Sequence, residues 1–196
     1  MLYLVACGAP RTRGLPDLVT AAQAAGWEVC VVATPSALRF LDNAGIAAIE
    51  RATGYLIAWE YRPQSEPRRL PLPDAMIVCP ATFNTINKWA AGISDTLALG
   101  LITEAIGKGL PIVAAPALNT AQAAHWAFDR SVTELRAAGV TVLYGPGIYQ
   151  PAPPGTGGRP YRWETPIEAL HARLAERDPP LATRLAEAPD CLSVRS

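Results

Sequence analysis

Short apolar runs that alternate with helix-periodic segments, each closed by Gly or Pro, constrain this chain more than any other feature. The succession runs "LYLVAC" from Leu2, "LPDLVTAAQAAG" from Leu15, "EVCVVA" from Glu28 and "PSALRFLDNAG" from Pro35. That order implies βαβ units and an α/β fold whose mostly parallel sheet is covered by helices on both faces. Leu18, Ala21, Ala22 and Ala25 keep a helical spacing, and Gly26 is placed to end the helix in a left-handed conformation. The same grammar recurs at Gly139 in "ELRAAGVTVLYG". "AMIVC" (Ala75 to Cys79) and "PIVAA" (Pro111 to Ala115) read as further buried strands, and Asp95 as the N-cap of the helix "TLALGLITEAIGKG", closed by Gly107 or Gly109.

Two stretches break the rhythm. "YRPQSEPRRLPLPDA" (Tyr61 to Ala75) and "GPGIYQPAPPGTGGRP" (Gly145 to Pro160) are too rich in Pro, and the second also in Gly, to join the sheet. Loops of that length are usually mobile or functional. The pattern divides the chain into a main domain over residues 1–162 and a C-terminal part over 163–196, with a helix from Pro166 to Arg177 and a peripheral Pro-rich end.

With 196 residues, half of them hydrophobic, the chain can bury a real core. Its 17 basic and 17 acidic side chains balance, so no long-range field draws nucleic acid or an anionic membrane. Recognition must come from local groups. Cys7, Cys30, Cys79 and Cys191 lack CxxC spacing, and the first three lie in apolar runs, which predicts no metal site and a reduced, cytoplasmic protein. "MLYLVAC" is too short for a signal peptide or a membrane span.

Ligands of open parallel sheets bind outside the carboxyl ends of the strands, where helix N-termini offer free N–H groups. Four turns fall at such ends: "CGAPRTRG" after the first strand, "ATPSA" after the second, "CPATFNT" after the fourth and "APALNT" after the fifth. The first turn does not read GxGxxG and no GxxxxGK[ST] occurs, which argues against an ordinary NAD or ATP site. A single phosphate held by Gly8, Thr34 and Ser36, with a planar ring beyond it, fits better. The alternative is that Thr34 and Ser36 only cap the following helix.

Together these turns resemble the homo-oligomeric flavin-containing cysteine decarboxylase family. The carrying residues are "TPSALRF" (Thr34 to Phe40), "PATFNTINKWAAGISDTL" (Pro80 to Leu97), similar to the family's PASANT segment, and "PALN" (Pro116 to Asn119), similar to the start of its PxMNxxMW segment. The resemblance covers about the first three quarters of the chain and implies a flavodoxin-like (Rossmann-type) three-layer sandwich that binds FMN. It also implies a homotrimer or a dodecamer, a tetramer of trimers, acting on a small-molecule or peptide-terminus substrate. It assigns Gly8, Ala9, Thr34, Ser36, Phe40, Pro80, Ala81, Thr82, Asn84, Thr85, Lys88, Ala117 and Leu118 to the cofactor and Asn119 to the substrate. Asp95 supports the PASANT-like loop with Lys88, and Phe83, Ala117 and Leu118 give apolar cover to the ring.

In that family the flavin oxidises a cysteine thiol, which lets the neighbouring carboxylate leave as carbon dioxide. A catalytic histidine precedes PASANT, and the ungapped match puts Glu66 in its place. An ordinary Glu titrates near about 4.3 and replaces histidine poorly unless buried. Ala152 stands nearest to the flap cysteine of the phosphopantothenoylcysteine branch, Leu118 and Gln122 at the two Met positions. His125 either approaches a substrate from the Asn119 side or sits on a helix surface beside Trp126, and Arg11 and Arg13 are candidate phosphate ligands. Two functions follow: oxidative decarboxylation of a cysteine-containing substrate, with Asn119 and Glu66 catalytic, or FMN binding in a non-decarboxylating regulatory or partner subunit. A flavin prenyltransferase fits less well, because "FNTINK" differs from the loop of those proteins.

Overall fold

The computed structural model describes residues 1–62, 70–156 and 161–177. Five strands form one parallel sheet: β1 (Leu2–Ala6), β2 (Val29–Ala33), β3 (Ala75–Ala81), β4 (Ile112–Pro116) and β5 (Thr141–Val142), in the order β2-β1-β3-β4-β5. The helices are α1 (Leu15–Ala24), α2 (Asn43–Thr53), α3 (Phe83–Ala90), α4 (Leu97–Gly107), α5 (Thr120–Ala123), α6 (Trp126–Ala137) and α7 (Thr165–Arg177). The fold is α/β and flavodoxin-like, as the alternating pattern and the resemblance imply.

Every residue of β1 to β4 is buried, which explains why these strands read as continuous apolar runs. Alternate residues feed two cores. Leu2, Leu4 and Ala6 pack with Leu15 and Leu18 of α1, Ile49 of α2, and Ile167 and Leu170 of α7. Tyr3, Val5 and Cys7 pack with Ile86 and Trp89 of α3, Leu99 and Ile102 of α4, and Phe128 and Val132 of α6. Gly26, Gly109 and Gly139 adopt φ of +88°, +64° and +87°, the left-handed helix ends their positions predict.

The structure departs from the sequence reading at three places. "AMIVC" is the third strand in the chain; among the described residues the segment before it contributes a single bridge, Val32 to Ala58. "PSALRFLDNAG" is not one helix: a 3-10 turn spans Ala37–Phe40, and α2 begins anew at Asn43, capped by Asp42, whose Oδ1 accepts from Gly45 N–H at 2.7 Å. α4 is capped by Thr96 rather than Asp95; Thr96 Oγ1 accepts from Leu99 N–H, while Asp95 pairs with Lys88. Among the described residues no helix is long and apolar enough to cross a membrane.

α7 seals one face of β3 and β4 with Ile167 and Leu170, the latter fully buried. Leu170→Ala should therefore cost about 2–5 kcal/mol, read as a lower urea midpoint at unchanged slope. A loss under about 0.5 kcal/mol would mean that α7 is only loosely docked.

Candidate functional site

All four turns lie at the carboxyl edge of the sheet, where main-chain hydrogen bonds tie them together. Thr34 N–H donates to Ala6 O (2.9 Å), Cys7 N–H to Pro80 O (3.1 Å) and Ala117 N–H to Ala81 O (2.8 Å). Pro80 and Ala81, buried at the end of β3, thus join the first, third and fourth strand ends. The first two turns touch: a Cβ on Gly8 would lie 2.6 Å from Ser36 Cβ, so this approach requires glycine.

Neither hydroxyl at the end of β2 serves as a helix cap. Ser36 is exposed and makes no capping bond, and Thr34 Oγ1 is buried with no hydrogen-bond partner among the described residues. A buried hydroxyl without a partner costs free energy, about 1–3 kcal/mol, unless a ligand answers it. The other such atom, Trp89 Nε1, lies in the last turn of α3, within the core.

α3 starts from the PASANT-like turn because Thr82 caps it, its Oγ1 accepting from Thr85 N–H (3.3 Å) and sharing a 3.1 Å hydrogen bond with the Thr85 hydroxyl. Asn84 is exposed in the first turn, Phe83 is half-buried, and Lys88 is bound to Asp95, which braces the following loop. Phe40 is half-buried at the end of the second turn. Asn119 caps α5: its Oδ1 accepts from Gln122 N–H (2.9 Å), and Gln122 Oε1 accepts from Asn119 N–H (3.2 Å). This leaves the Asn119 amide NH2 for an acceptor outside the protein.

A cavity of about 620 Å³ opens beside these turns. Ala9, Ala117, Leu118 and Asn119 line it, whereas Gly8, Thr34, Ser36, Thr82, Asn84 and Thr85 lie along the same edge outside its wall. Its far wall is the late Pro- and Gly-rich loop: Tyr149 OH donates to Leu118 O (3.1 Å), Thr120 N–H donates to Ala152 O (3.0 Å), and Ala152 bridges Asn119. Arg11 sits over the rings of Tyr161 (4.1 Å) and Tyr149 (5.3 Å), and its Nη1 donates to Pro116 O (3.4 Å). The sequence reading gives the two tyrosines no role; the available signal was Tyr149 within the Pro- and Gly-rich stretch and Tyr161 just after it.

Glu66 lies outside the described residues. His125 caps α6, its Nδ1 accepting from Ala127 N–H (3.1 Å), and stacks on Trp126, which accounts for it as a structural residue. Burial raises the Cys7 thiol, against the opposing effect of the Thr85 hydroxyl, and pushes Cys79 up to about 12 and Cys30 to about 11. Cys79 donates weakly to Tyr161 OH (3.8 Å), whose own ionisation burial also raises. Cys7, Cys30 and Cys79 are all buried and serve as protonated core residues, not nucleophiles.

The family profile described as Flavoprotein matches residues 2–169. The coenzyme A biosynthesis bifunctional protein CoaBC of Thermococcus kodakarensis is 32% identical over 109 residues, 56% of this chain and 25% of that protein. The chain therefore spans about a quarter of the length of such relatives. Among solved structures, the FMN-dependent cysteine decarboxylase TvaF from thioviridamide biosynthesis superposes with a TM-score of 0.68 at 22% identity, over 89% of this chain and 97% of its own. The FMN-binding protein AtHal3 gives 0.66 at 21%, over 87% and 94%. These two likenesses establish the shared fold.

Two outcomes test the site's physical chemistry. In flavin-free protein, Thr34→Val removes a hydroxyl that no described group satisfies and should leave the melting temperature unchanged or raise it; a loss above about 1 kcal/mol would mean that the hydroxyl is already bonded within the protein. The raised thiols fix the sign of an alkaline effect. The unfolded chain releases those protons first, near the ordinary value of 9.0, while folded Cys79 holds its proton to about 12. Stability should be complete below pH 9 and decline from there towards about 12 in urea titrations, less steeply in Cys79→Ala.

Proposed function

The chain belongs to the Flavoprotein family, and from that premise we propose that it binds one FMN across the strand-end turns and acts in oxidative decarboxylation of a cysteine-containing small molecule or peptide terminus. The observation that carries the reading is the unpartnered, buried Thr34 hydroxyl beside the Gly8–Ser36 contact. A phosphate placed there would satisfy that hydroxyl and meet Ser36 and the Gly8 and Ala9 main chain. Thr82, Asn84 and Thr85 would offer polar contacts at the head of α3, with Lys88 and Asp95 bracing that turn. Phe40, Phe83, Ala117 and Leu118 would give apolar cover. Bound FMN would supply a two-electron acceptor for a thiol.

The Asn119 amide NH2, free once its Oδ1 caps α5, is the group suited to hold a substrate carboxylate in the cavity. Glu66 is proposed as the base that stands in for the family histidine. The same reading implies a homotrimer or dodecamer, for which the exposed Leu56, Trp59 and Tyr61 offer apolar surface.

A second reading, an FMN-binding partner subunit without decarboxylase activity, is favoured by Ala152. This residue bridges Asn119 at the place where the resemblance would put a flap cysteine, and it has no thiol to offer.

Release of carbon dioxide from phosphopantothenoylcysteine or a peptide ending in cysteine separates the two. On the enzymatic reading the flavin-loaded protein turns one of them over. Asn119→Asp, which keeps the helix cap but loses the donor, should then lower turnover by about 10- to 100-fold at unchanged stability. No carbon dioxide from either substrate, with flavin bound, supports the partner-subunit reading.

A further inference from the structure

Arg11 is a half-buried cation on the wall of the 620 Å³ cavity, and no described carboxylate pairs with it. Its neighbour on the same wall, Arg162, is by contrast paired with Glu164 and Glu168. None of the described residues lining the cavity is acidic. The side chain is nevertheless held in place: two tyrosine rings flank the guanidinium, and Pro116 O accepts one of its five N–H groups. A preorganised guanidinium with unused donors and no counter-charge among the described residues, facing a cavity whose other described lining residues are uncharged apart from the paired Arg162, is built for an oxyanion from outside.

We propose that Arg11 is the anion receptor of the substrate cavity, clamped by Tyr149 and Tyr161 to hold a carboxylate-bearing ligand, with the Asn119 amide on the same wall. This deepens the reading given above and rests on it for the identity of the ligand. Carboxylate and phosphate share the chemistry that a guanidinium recognises, and the phosphate of FMN is the competing source. Position favours the substrate. The Thr34 and Ser36 hydroxyls follow β2 at one end of the sheet order, whereas the hydrogen-bond and ring partners of Arg11 are Pro116 at the end of β4, Tyr149 in the late loop and Tyr161 just after it. β2 and β4 are three strand positions apart, about 14 Å across the edge. The clamp also links function to loop order, since the rings that fix Arg11 come from the segment that forms the far wall.

The test is calorimetric binding of N-acetylcysteine against N-acetylcysteinamide to flavin-loaded wild type, Arg11→Gln and Arg11→Lys, with FMN affinity of each variant measured separately by fluorescence quenching. The expected result is that wild type prefers the acid, that Arg11→Gln weakens acid binding by about tenfold or more while amide binding is unchanged, and that Arg11→Lys recovers part of the loss. Unchanged FMN affinity and circular dichroism show that the variants are folded. Equal binding of acid and amide by wild type, or equal loss for both ligands in Arg11→Gln, overturns the proposal; the second result is what a purely structural latch gives. A loss confined to FMN affinity also overturns it and assigns Arg11 to the cofactor phosphate. Should wild type take up no FMN, the flavin reading fails by itself, and the acid-to-amide comparison on the flavin-free cavity still decides whether Arg11 receives an anion.

Discussion

Burial of a parallel sheet on both faces is the constraint on which the rest depends. Parallel strands cannot be joined by tight hairpins, so each must return through a helix, and every turn that leaves a strand's carboxyl end emerges on the same edge. Here helices α1, α2 and α7 close one face and α3, α4 and α6 the other, which leaves the polar turns no place but that edge. The bonds from Thr34, Cys7 and Ala117 to Ala6, Pro80 and Ala81 then lock β2, β1, β3 and β4 end to end. Groups distant in sequence are held together by the scaffold rather than by their own loops.

On that edge, small residues and hydroxyls do different work from charges. Gly8 permits a contact no side chain would allow, and Thr34 presents a hydroxyl that costs free energy until something bonds to it. With net charge zero, no overall field attracts a ligand, and a cation such as Arg11, which no described carboxylate pairs, acts locally in the cavity wall. The buried thiols are held protonated and so offer no nucleophile to that edge.

Much of the scaffold was legible in the sequence because buried parallel strands and amphipathic helices leave periodic traces. Gly26 and Gly139 marked helix ends for the same reason: the left-handed turn admits little else. What escaped depended on contacts between distant positions. "PSALRF" has a helical spacing, yet the chain takes a 3-10 turn there and restarts at Asp42, whose cap wins over periodicity. Asp95 looked like a cap in isolation, but the Lys88 ammonium claims it and Thr96 takes the role. The strand-end turns could be named from order alone. The meeting of Arg11 with Tyr149 and Tyr161 could not, since no local pattern ties a residue in the first turn to rings some 140 positions later.

We propose that these turns form a cradle for one flavin mononucleotide, its phosphate held beside Gly8, Thr34 and Ser36. Titrating flavin-free protein in parallel with FMN and with riboflavin tests it most directly, because the two ligands differ only in the phosphate. Saturation at one FMN per chain and an affinity for FMN at least about tenfold above that for riboflavin are expected. Equal affinity for the two, or no uptake of either, would contradict it.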